Sequence, residues 1–89
     1  TSRNNYLATV YRKDNTVSCC FVDISTGEFH LTTFTSDAIG NDIVNELTRF
    51  SPKELLINAQ AYDDKTVNSF LRHNCFVKFF PLAPSNEYT

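Results

Sequence analysis

Residues 5 to 13 are rich in β-branched and aromatic side chains and predict a first strand. Asp14-Asn15 supplies a reversal, since both residue types tolerate left-handed backbone, and residues 16 to 24 predict a second strand. The run Val22-Asp23-Ile24-Ser25-Thr26-Gly27-Glu28-Phe29 has the chemistry of a second tight reversal: hydroxyls that bond nearby backbone, then a glycine free to take positive φ. Residues 27 to 34 predict a third strand with clean alternation. Phe29, Leu31 and Thr33 fall on one side, and Glu28, His30 and Thr32 on the other. That pattern suits an edge strand with one wet face, on which His30 sits.

The period then changes. Ile39, Ile43, Leu47 and Phe50, with Val44 beside them, make one helical stripe; Ser36 or Asp37 is its N-cap, and Ser51-Pro52 ends it. Gly40 weakens this helix modestly. Leu55-Leu56-Ile57 is a short apolar run, as expected of a central parallel strand covered on both faces. A second helix is predicted from Asp63 to His73, with acids at its start and Arg72 and His73 at its end to complement the dipole. Residues 76 to 80 predict a fifth strand.

The order is βββαβαβ, an α/β domain with an antiparallel meander followed by two parallel crossovers. Such crossovers are right-handed, so a sheet order of 3-2-1-4-5 places both helices on one face. Strands two, four and five nevertheless carry apolar residues on both sides. The second face therefore needs other cover, and Ala83-Pro84-Ser85-Asn86-Glu87 resembles the start of a further helix. The chain is expected to be a single domain over residues 1–89, excised from a longer protein and truncated before that helix.

Composition narrows the function classes. Hydrophobic residues make up 42%, with eight Phe and four Tyr, as in a globular domain. The formal charge is −2, with eight basic residues scattered among ten acidic ones. Binding duplex phosphates normally demands a basic excess, so strong direct nucleic-acid binding is not expected. No apolar run has the length of a membrane span. Cys19, Cys20 and Cys75 are odd in number and lack C-x-x-C spacing, which suits reduced thiols in a cytoplasmic protein.

The octet at 22 to 29 contains Asp23-Ile24-Ser25-Thr26-Gly27-Glu28-Phe29, which resembles the "DISTGEF" hairpin of the connector domain of the MutS family of DNA mismatch repair proteins. Asn4-Asn5-Tyr6-Leu7-Ala8 resembles that family's opening strand, and residues 45 to 57 resemble its "ELxRxxPxEILI" segment. The three blocks occur in the family's order across roughly the first two thirds of the chain. The resemblance implies a ribonuclease H-like fold and the N-terminal two thirds of a connector domain. It further implies a non-catalytic role, relaying conformational change between the mismatch-binding and core/lever domains and offering a surface to MutL. On that reading the fragment holds no cofactor. ATP and Mg, and mismatched DNA, would be bound by other domains of the parent.

A ribonuclease H-like nuclease is the main rival, because the element order is the same. It needs carboxylates converging on two metals, yet the first strand carries no acid and the fourth ends at Asn58. No metal site is expected: the cysteines, His30 and His73 lack the paired spacing of a closed zinc site. Asp23, Ser25, Thr26 and Gly27 are read as structural turn residues, with the Asp23 carboxylate capping the turn and Gly27 at the left-handed position of a three-residue loop. Asn41, Asn45 and Arg49 on the first helix, with Lys53, Asn58 and Gln60 near the fourth strand, are the candidate partner surface. A generic α/β protein-interaction module would share this chemistry without the repair context.

Overall fold

The computed structural model describes residues 5–74 and 78–82. The sheet comprises β1 (Tyr6–Lys13), β2 (Thr16–Asp23), β3 (Phe29–Thr35), β4 (Glu54–Ile57) and β5 (Lys78–Pro81). Among the described residues three helices accompany it: α1 (Ile39–Phe50), α2 (Ala59–Tyr62) and α3 (Lys65–His73). The order across the sheet is β3-β2-β1-β4-β5, as expected, with the first three strands antiparallel and β1-β4 and β4-β5 parallel. Asn4, Cys75, Phe76 and the helix start expected at 83–87 lie outside the described residues. Among the described residues no helix is long and apolar enough to cross a membrane.

Local chemistry explains the joints. Asp14 takes φ 55 at the β1-β2 reversal, where Lys13 pairs with Thr16. At the end of α1, Ser51 takes φ 46 and its N–H donates to the Leu47 carbonyl. Neither Ser36 nor Asp37 caps α1. The helix starts after Ala38, and the Ser36 hydroxyl instead accepts from the Ala38 N–H at 2.9 Å, closing a local turn one step too early. The helix expected from Asp63 to His73 is α3, which starts at Lys65; the short α2 before it, closed by Asp63, was not expected. Asp64 is extended, and its Oδ1 accepts from the N–H groups of Thr66 (2.9 Å) and Val67 (3.2 Å) to open α3. The acid at the helix start is thus a cap rather than a first-turn charge.

All three helices bury one face of the sheet. Tyr6, Ala8 and Val10 from β1, Val17, Cys19 and Phe21 from β2, and Leu55 and Ile57 from β4 meet Ile39, Ile43, Leu47, Ala61, Val67 and Leu71 in one core. Phe50 stacks on Phe21 at 4.2 Å between ring centroids, and Tyr62 stacks on Phe79 at 5.2 Å, holding β5 against α2.

Among the described residues the opposite face carries no helix. Leu7, Tyr11, Phe29, Leu31, Leu56 and Phe80 are exposed there, around a groove of about 310 Å³ lined by Leu7, Thr9, Cys20, Val22, Leu56 and Phe80. As expected of a second face that needs other cover, the Leu55-Leu56-Ile57 run is covered on one face among the described residues, with Leu56 42% exposed. The expected faces of β3 are corrected, being inverted: Phe29 and Leu31 are exposed, whereas His30, Thr32 and Phe34 are half-buried on the helix side. Alternation separates two faces; the helices decide which one is covered.

Candidate functional site

The hairpin between β2 and β3 is built around one buried carboxylate. Asp23 ends β2 on the helix side, and its Oδ1 accepts from the Ser25 hydroxyl (2.6 Å) and from the N–H groups of Ser25 (2.9 Å) and Thr26 (3.3 Å). The Thr26 hydroxyl accepts from the Glu28 N–H at 3.1 Å. Gly27 takes φ 79 and its N–H donates to the Asp23 carbonyl, while the Asp23 N–H donates to the Glu28 carbonyl, both at 2.8 Å. Four residues, Ile24 to Gly27, therefore lie between the paired positions, one more than the expected three-residue loop, and β3 starts at Phe29 rather than Gly27.

Just beyond the turn, Glu28 Oε2 accepts from the Tyr6 hydroxyl at 3.1 Å and bonds His30 Nε2. The His30 ring sits 5.0 Å from that of Phe50 and 6.1 Å from that of Tyr6. The wet-face assignment of His30 is thus overturned, because α1 brings Phe50 down onto this side of β3. The Glu28-His30 spacing, two residues apart on one strand face, was the signal in the sequence for this cluster.

Both carboxylates are shifted. Bonding to the Ser25 side chain, then to backbone N–H groups, holds Asp23 below the usual carboxylate range despite its burial. His30 first and Tyr6 second do the same for Glu28. A folded-state pKa below the unfolded one contributes stability that is present above the ordinary carboxylate range and lost as pH falls through the folded values. Thermal melts are therefore expected to hold level from neutral pH to about pH 5 and to fall at lower pH. An Asp23→Asn variant should fall less steeply, and equal acid slopes for the two proteins would refute the coupling.

The six candidate partner residues do not form one patch. Arg49 is exposed at the C-terminal end of α1, with its guanidinium 4.9 Å over the Phe50 ring, and Lys53 lies at that same end of the sheet, its N–H donating to the Tyr6 carbonyl. Asn41 and Asn45 are exposed further up α1. Asn58 and Gln60 lie at the opposite end and are already engaged. The Asn58 carboxamide accepts from the Arg12 N–H (2.9 Å) and donates to the Arg12 carbonyl (2.7 Å), and Gln60 Oε1 accepts from the Asp14 N–H. Cys19 and Cys20 point to opposite faces of β2. Burial, with Glu46 nearby, pushes the Cys19 thiol up to about 12, and burial also raises that of Cys20, so neither is an activated nucleophile.

These elements lie within one continuous family match. The model of MutS domain II matches residues 5–88. The chain belongs to the MutS domain II family. It is 33% identical over 78 residues to the DNA mismatch repair protein MutS of Caldanaerobacter subterraneus, covering 86% of this chain and 9% of that protein. It is 42% identical over 57 residues to MutS of Clostridium tetani (64% and 6%) and 47% identical over 62 residues to MutS of Trichormus variabilis (70% and 7%). The chain thus spans less than a tenth of the length of these relatives.

Within this MutS domain II, Gly27 offers a clean test of the hairpin. No heavy atom lies within 4 Å of where its Cβ would sit, so a substitution there meets backbone strain without a clash. Gly27→Val is expected to cost about 1–2 kcal/mol, read as a lower midpoint in urea with unchanged slope. An unchanged midpoint would remove the left-handed turn from the account.

Proposed function

We propose that this chain is the N-terminal two thirds of a MutS connector domain, with a ribonuclease H-like arrangement of its sheet and helices. In the whole cytoplasmic repair protein it relays conformational change between the mismatch-binding and core/lever domains. It also contributes to the surface that MutL recognises. ATP and Mg, and mismatched DNA, are handled by other domains.

The observation that carries this reading is the domain II match from residue 5 to residue 88. The sheet itself supports a connecting role: one face is closed by this chain's helices and the other presents Leu7, Leu56 and Phe80 to whatever packs there. We assign that cover to a further helix of the parent protein. Arg49 and Lys53, exposed at one end of the sheet, are the side chains proposed for MutL; Asn58 and Gln60 are held by internal bonds and shape the other end instead.

A binding assay with immobilised MutL tests this, using the 89-residue chain and a version extended past Thr89. Binding by the extended domain, weakened by Arg49→Glu and Lys53→Glu together, is the expected result. Failure of both proteins to bind would leave only the relay role. Magnesium-dependent nuclease activity in either protein would overturn the non-catalytic reading.

A further inference from the structure

The two edges of the sheet differ in chemistry. β5 carries Lys78 and Pro81, residue types with which proteins blunt an open strand. β3 runs Phe29-His30-Leu31-Thr32-Thr33-Phe34-Thr35, with no Lys, Arg, Asp, Glu, Gly or Pro in seven residues. Among the described residues it pairs with β2 alone.

The hairpin identifies which backbone groups of β3 face outward. The Asp23 N–H donates to the Glu28 carbonyl, so that position is a hydrogen-bonded one. Hydrogen-bonded and non-hydrogen-bonded pairs alternate along an antiparallel ladder. Since Val22 faces Phe29 and Phe21 faces His30, the residues bonded to β2 are His30, Thr32 and Phe34. Phe29, Leu31, Thr33 and Thr35 turn their N–H and C=O groups away from the sheet. Side chains of this same set lie on the face without helices, where Phe29 and Leu31 are 59% and 61% exposed. One set of residues thus offers both a row of backbone groups that no other strand pairs among the described residues and large apolar side chains at Phe29 and Leu31.

We propose that the β3 edge is a strand-addition site for an extended, uncharged segment of a partner protein that is apolar at every second residue. The added strand pairs with the backbone of Phe29, Leu31, Thr33 and Thr35 and lays its apolar side chains beside Phe29 and Leu31. The chemistry of β3 selects this partner. The strand carries no charged side chain other than His30 when protonated, and His30 faces the other way and is held by Glu28. The inference rests on the sheet edge and is independent of the role proposed above.

The test titrates the isotope-labelled 89-residue chain with a capped seven-residue peptide of alternating valine and threonine. The amides of Leu31 and Thr33 are expected to shift and to gain about tenfold protection from hydrogen exchange, whereas Thr32, already bonded to β2, changes little. Thr33→Pro removes one outward N–H at a position where an edge strand tolerates proline, and should weaken binding about tenfold with the β1-β2 amides unmoved. Leu31→Lys leaves the backbone intact, places a charge on the strand, and should weaken binding similarly, which keeps the test valid if the proline variant unfolds. Peptide binding that both variants leave unchanged would overturn the proposal, as would shifts confined to Leu7, Leu56 and Phe80. No binding at millimolar peptide, or self-association of the chain through Leu31 and Thr33 in place of peptide binding, would overturn it too.

Discussion

Gly40→Ala is expected to destabilise the domain, although helix propensity argues for a gain of about 1 kcal/mol. A Cβ at Gly40 would lie 2.8 Å from Asp64 Cγ and 2.9 Å from its Oδ2. Asp64 is not free to swing aside. Its Oδ1 caps α3 through Thr66 and Val67, and its Oδ2 faces Arg12 Nη1 at 3.5 Å. Displacing it costs the cap, about 1–2 kcal/mol, together with the Arg12 contact and some overpacking. These terms outweigh the propensity gain, leaving a net loss of about 1–2 kcal/mol, or a melting temperature lower by roughly 5–15 °C in a domain of this size. The decisive control is a double-mutant cycle. In an Asp64→Ala background the clash is gone, and Gly40→Ala should become stabilising. A single mutant that melts at or above the parent temperature would show that Asp64 does not hold α1 and α3 together.

The second large effect separates two adjacent leucines. Leu55 is fully buried beneath the helices, and Leu55→Ala should cost about 3–5 kcal/mol, enough to leave a small domain partly unfolded at room temperature. Leu56, next along β4, is 42% exposed on the open face, and Leu56→Ala should cost less than about 1.5 kcal/mol. Urea denaturation of both variants measures the difference directly. Equal losses would mean that the open face is covered in the isolated chain.

That contrast marks what could be read from residues alone. The five strands, the α1 stripe and the sheet order were legible because period and turn chemistry are local, and because crossover handedness leaves few topologies. The covered side of β3 was not legible. Phe29 and Leu31 are the more apolar set, yet α1 packs over His30 and Phe34 because both crossovers fold toward that face. The start of α3 at Lys65 was hidden for a different reason. Asp63 and Asp64 both suit a helix start, and only the extended backbone of Asp64, stabilised by its own capping bonds, identifies the one that caps. At the candidate site, the hydroxyl-rich turn was readable from Ser25 and Thr26. The engagement of Asn58 and Gln60 was not, since it depends on Arg12 and Asp14, over forty residues away.

The sheet order also bears on how the chain is made. β1, β2 and β3 are joined by short reversals, whereas β1 finds β4 only by pairing Leu7 with Glu54. A ribosome therefore releases the whole meander before the strand that will lie at its other side. Short loops close at low entropic cost, so the meander is expected to gather first, with Val10, Cys19 and Phe21 still lacking their helical cover. Nascent chains that have released the meander but not α1 should then bind more of a hydrophobic dye than those that have also released α3, because only the helix-side face becomes covered. That interval is when a chaperone has its opening.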